Sequence, residues 1–150
     1  MIESLVKRYY GLDVFGVTPY VDHGRAKLYR LETTAGTLLL KTLDPETDDA
    51  QAEGKLTAFL SAHGIPVAAI MPTKTGGYLA GEGDFWFHLQ PFVPGEMLAL
   101  NSAPDWFLQT SARLLGQIHA ALKAYPRLRE GMGAAFFSDE MIAYKRGMYD

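Results

Sequence analysis

"TLLLKTL", residues 37–43, places a lysine at the end of a three-leucine run. The run lies between Gly36 and Asp44-Pro45, and so short an apolar stretch between turn signals reads as a strand buried on both faces. Side chains alternate along a strand, so Leu39 shares a face with Lys41 while Leu38 and Leu40 take the other. Lysine is rarely buried without a partner, so the pattern asks which carboxylate meets Lys41.

The flanking segments place this strand in a sheet. Residues 2–10 carry Ile2, Leu5, Val6 and Tyr9 at helical spacing, with Gly11 as the stop. From Val14 to Thr42 the pattern is β: "VFGVTPYVD", "RAKLYRLETT" and "GTLLLKT", with a hairpin turn at "TTAGT". Asp44-Pro45 then predicts a helix start, with Asp44 as N-cap, acids in the first turn, and Gly64 at the end. Its apolar stripe is Ala52, Leu56, Phe59, Leu60 and His63, and Glu53 lies along it. A helix packed back on three antiparallel strands brings Glu53 to Lys41; if that pair is buried, losing one partner costs about 3–5 kcal/mol.

"VAAIMPTKTGGYLA" and "DFWFHLQPF" predict two or three more short strands around a Gly76-Gly77 turn, stopped by Pro91 and Pro94-Gly95. Ser102-Ala103-Pro104-Asp105 signals a helix that runs to about Ala124. Phe107, Leu108, Leu114, Leu115, Ile118 and Leu122 give it an apolar face wide enough to be covered on most sides. A further helix, 138–150, stops in mid-pattern, which predicts a chain cut from something longer.

Composition excludes several functions. With no cysteine among 150 residues, disulfides, thiolate zinc sites and thiol catalysis are ruled out. A net charge of −3 offers no basic surface for nucleic acid or anionic membrane, and no run is long enough for a membrane span. A soluble cytoplasmic protein is expected. The acids at 44–49 and Asp139-Glu140 read as helix caps rather than metal ligands, and His88 and His119 as packed residues.

Strand, glycine turn, strand, strand with terminal lysine, helix with glutamate, then strands leading through a proline-broken linker into a helix: this order resembles the N-terminal lobe of the protein-kinase-like fold. The stretches "DHGRAKLYRLETTAGTLLLKT", "AEGKLTAFLSAHGIPVAAIMPTKTGG", "FHLQPFVPGE" and "ARLLGQIHAAL" are similar to the aminoglycoside phosphotransferase-like family, with its choline and homoserine kinase and spore-coat relatives. The resemblance implies an α+β chain. An N-lobe over 1–93 holds an antiparallel sheet of about five strands with one packed helix, and the first helices of a truncated helical C-lobe occupy 94–150.

It further implies that Lys41 contacts the α- and β-phosphates of ATP or GTP, oriented by Glu53, and that the turn around Gly24 and Arg25 covers them. Leu39 and Val21 would pack on the purine, and Gln90, Phe92 and Val93 would form the hinge that reads its edge. The function implied is the nucleotide-binding portion of an ATP-dependent phosphotransferase for a small hydroxylated or amino-alcohol substrate. The alternative is a non-catalytic coat or scaffold module.

Three departures stand beside the likeness. Only Gly24 stands where protein kinases carry G-x-G-x-x-G, and Lys27 sits where the family often has asparagine. His23-Gly24-Arg25 and His63-Gly64-Ile65 are not the His-Gly-Asp of the catalytic loop. No catalytic residue is therefore expected in this chain, the Mg²⁺ ligands are expected beyond it, and uncovered helix faces are expected to drive self-association.

Overall fold

The leucine run is a strand whose two faces differ. In the computed structural model, which describes residues 1–23, 26–46, 48–96 and 103–126, β3 (Gly36–Leu43) buries Leu38 and Leu40 on one face. Leu39 and Lys41 on the other face are only partly covered. The expectation of burial on both faces is corrected: one side is sealed and the other is half open.

Helix α1 (Ile2–Tyr10) does the sealing. Its Leu5 and Val6 join Leu31, Leu38, Leu40, Ala80, Phe87 and Leu89 in the core. Gly11 ends the helix in the left-handed region at φ 75°, donating its amide to the Lys7 carbonyl. Tyr9 ties α1 to the sheet through its hydroxyl, which donates to the Gly81 carbonyl at 2.8 Å.

β1 (Val14–His23), β2 (Ala26–Thr33), β3, β5 (Phe85–Pro91) and the short β4 (Ala80–Glu82) form one antiparallel sheet in the order β1-β2-β3-β5-β4. The β2–β3 turn sets Thr33 opposite Gly36, which has φ 99°, and so brings Leu28 opposite Lys41. On its other side Lys41 faces His88.

Helix α2 (Ala50–Ala62) begins five residues later than Pro45. The reason is local: Asp44 Oδ1 accepts from the Glu46 amide and Asp48 Oδ2 from the Asp44 amide, closing a separate acidic turn. Asp49 is left to cap the helix, accepting from the Ala52 amide at 2.9 Å.

Of the stretch 67–80, expected to hold strand, only Ala80 does; residues 65–79 form none. Pro66 and Pro72 have no amide to give a ladder, and the Val67 and Ala69 amides close tight turns on Ile65 and Val67. The reversal between the two short strands, β4 and β5, is at Gly83, not Gly76-Gly77.

The chain divides into two compact units, Met1–Ser102 and Ala103–Asp150. In the second, α3 (Asp105–Leu122) starts from Pro104 with no side-chain cap hydrogen bond from that residue, and Ser102, the expected cap, lies outside the described residues. The extended ψ of 155° at Pro104 keeps it outside the helix, and its carbonyl accepts from the Phe107 amide instead. No residue of α3 is buried, so its wide apolar face is left uncovered. The helix expected over 138–150 lies outside the described residues. Among the described residues no helix is long and apolar enough to cross a membrane.

Candidate active site

The register places Leu28, Lys41 and His88 side by side on one face of β2, β3 and β5, and Arg30, Leu39 and Gln90 form the adjacent row. α2 delivers Glu53 to this face from its first turn: Lys41 Nζ and Glu53 Oε1 stand 3.7 Å apart. The side chains remain 35% and 44% exposed, so this is a water-screened pair and not the buried one allowed for above. Its contribution to stability is roughly 0–1 kcal/mol. An ammonium so lightly held stays available to another anion.

His88 is fully buried, and neither ring nitrogen has a hydrogen-bond partner among the described residues. Burial, reinforced by the Lys41 charge and opposed by Asp48, lowers its pKa to about 4, so the imidazole beside Lys41 is neutral near pH 7. The expectation of a packed His88 agrees with this enclosure. His119 is different: it is exposed on α3 rather than packed.

At the β5 exit the Phe92 amide donates to the Thr37 carbonyl at 3.1 Å. The Arg30 guanidinium lies over the Phe92 ring, 5.0 Å from its centroid, and Tyr20 meets that ring edge-on at 5.3 Å. Gln90 is partly covered and Val93 is 68% exposed. The Val21 backbone pairs with Leu28. Gly24 and Arg25 lie outside the described residues. Among the described residues no group of three His, Asp or Glu side chains could hold a metal ion, and the 44–49 acids that cap amides do so through backbone bonds.

The profile of the phosphotransferase enzyme family matches residues 19–150, most of the chain and all of the elements around this site. The chain belongs to that family. Among solved structures, this family member is similar to a spectinomycin phosphotransferase, APH(9)-Ia, in complex with ADP and spectinomycin. The TM-score is 0.66 at 16% identity, over 80% of this chain and 37% of that one. At that identity the likeness speaks for the fold, and it shows a kinase-like N-terminal lobe, the expected antiparallel sheet with its helices. The phosphotransferase-family chain spans about 37% of the length of that structure. No curated protein matches it.

Two residues at the site were missed by the sequence reading. Leu28 could have been found by counting back from the "TTAGT" turn, since a two-residue loop at Thr34-Ala35 sets it opposite Lys41. Tyr78, which packs against Gly54 of α2, gave no local signal, because the contact closes a separation of 24 residues.

Proposed function

We propose that this chain supplies the nucleotide-binding portion of an ATP-dependent phosphotransferase whose acceptor is a small hydroxylated or amino-alcohol molecule. The observation that carries it is the Lys41–Glu53 pair, within 4 Å on the half-open face of the sheet, in a fold shared with a phosphotransferase solved with ADP. Residues 1–93 act as the nucleotide lobe and 94–150 begin the helical one. Lys41 places its positive charge against the α- and β-phosphates, while Glu53 stops the ammonium from folding away when no nucleotide is bound. Leu39 and Leu28, on the face of Lys41, cover the purine, and Val21 is assigned as a further purine contact. To the turn of Gly24 and Arg25 this reading assigns the covering of the phosphates.

The hinge reading becomes more specific. The Phe92 amide is already engaged by Thr37, and Pro91 has none. Carbonyl and amide directions alternate along an extended chain, so the Pro91 carbonyl and the Val93 amide turn away from β3. An acceptor followed by a donor complements the amino and N1 edge of adenine, which favours ATP over GTP. Gln90, one residue before, brings the chain to this register.

Among the described residues the acids do not build a magnesium site. Positioning and charge neutralisation by Lys41 are what these residues offer to phosphoryl transfer. Titration with a fluorescent ATP analogue tests the reading. Lys41→Ala is expected to weaken binding by tenfold or more; equal affinity in both proteins overturns it. We also infer self-association through α3, on which Trp106, Leu108 and Leu115 stand exposed.

A further inference from the structure

Gly54 follows Glu53 in α2 and is buried. A Cβ placed on it would fall 2.6 Å from Tyr78 Cβ and closer still to the first ring atoms, whereas real Cβ contacts essentially never come under 3.0 Å. Rotating the tyrosine moves its ring but not its Cβ, so no rotamer relieves this approach. Either the helix or the segment carrying Tyr78 must move.

The segment is anchored elsewhere. Its Met71 amide donates to the Leu89 carbonyl on β5 at 2.8 Å, and its Lys74 amide to the Tyr9 carbonyl at the end of α1 at 2.8 Å. On α2 itself, the Thr57 hydroxyl donates to the Gly54 carbonyl and accepts from the Ile70 amide, a second tie one turn along. Residues 65–79 thus form a bracket fixed to β5 and α1, against which α2 is seated at Gly54. A rigid helix displaced at Gly54 carries Glu53 with it. The 3.7 Å ion pair has little distance to lose before it opens.

We propose that the Gly54–Tyr78 approach is a positioning contact that sets the reach of Glu53 to Lys41, and through it the affinity for nucleotide. The inference rests on the reading of Lys41 as the phosphate-binding lysine. The absence of a side chain at Gly54 therefore serves the site as well as the packing: α2 must come close enough for a carboxylate one residue earlier to meet an ammonium on β3.

The fluorescent ATP analogue, titrated into the full chain and its variants, provides the test. Gly54→Ala is expected to weaken binding roughly tenfold, within the range of coupling between contacting residues. Tyr78→Gly, which removes the three atoms nearest that Cβ, is expected to restore part of that loss in the double variant. In a Glu53→Gln background, Gly54→Ala should change the affinity no further, an outcome that a general loss of packing would not produce. Unchanged affinity in Gly54→Ala, no rescue by Tyr78→Gly, or an undiminished loss with Glu53 already replaced each overturns the proposal. If Gly54→Ala does not fold by thermal melting, the Gly54→Ala/Tyr78→Gly protein replaces it, and binding no tighter than Glu53→Gln counts against the contact. A loss in Lys41→Ala with none in Gly54→Ala removes only the positioning contact, whereas no loss in Lys41→Ala removes the nucleotide reading too.

Discussion

Burial disfavours the charged form of an imidazole, and His88 is enclosed beside a lysine, so its ordinary pKa of 6.5 falls to about 4. The unfolded chain takes up a proton at His88 as pH falls below 6.5, while the folded chain resists until about pH 4. Stability is therefore full above pH 6.5 and is lost between 6.5 and 4, by on the order of 3 kcal/mol across the window. The Lys41 charge deepens the effect and the negative charge of Asp48 lessens it. Urea midpoints taken from pH 7 to pH 4 should fall more steeply in the native protein than in His88→Phe. Parallel curves would remove His88 as the cause. The Lys41–Glu53 pair beside it is screened by water, at 35% and 44% exposure. Its meeting was legible in the sequence from two periodicities, alternation along a strand and the stripe of a helix, together with the resemblance carried by the order of the elements. Lys41's neighbours Leu28 and His88 needed cross-strand register, which one strand does not contain.

Elements were legible where their signals are local. α1 with its Gly11 stop, the three strands from Val14 to Leu43 and the turn at Gly36 stand as expected. The misjudged boundaries lie where several residues compete for one role. Asp44, Asp48 and Asp49 can each cap, and the side-chain bonds within the 44–48 turn leave the helix to Asp49. Which helix seals the sheet was also not legible: both α1 and α2 carry apolar residues at helical spacing, and only the tertiary fold gives the buried face to Leu5 and Val6. At the β4–β5 hairpin, Gly81 has φ 148°, and a Cβ there would come 2.7 Å from Trp86 Cα and nearer still to the Phe85 carbonyl oxygen. Backbone atoms cannot rotate out of the way. Gly81→Ala should therefore destabilise the chain by about 2 kcal/mol or more, read as a lowered thermal midpoint, and an unchanged midpoint would contradict this close approach.

At the scale of the molecule, α3 leaves Trp106, Leu108 and Leu115 in water at 64%, 51% and 53% exposure. Leu108 and Leu115, seven residues apart, lie on one helical face. Apolar surface of this kind favours covering, so the mass measured by light scattering should rise with concentration, and Leu115→Glu should hold it down. A mass that stays at the monomer value throughout would count against self-association. The two compact units also share out the chain's two tryptophans, Trp86 in the first and Trp106 in the second. Each unit therefore has its own fluorophore: Trp86 is part-shielded with its indole N–H donating to the Gly83 carbonyl, while Trp106 is mostly wet. Their emission maxima should be separable, so one heating curve recorded at two wavelengths would report whether the sheet and the helix come apart together or one after the other.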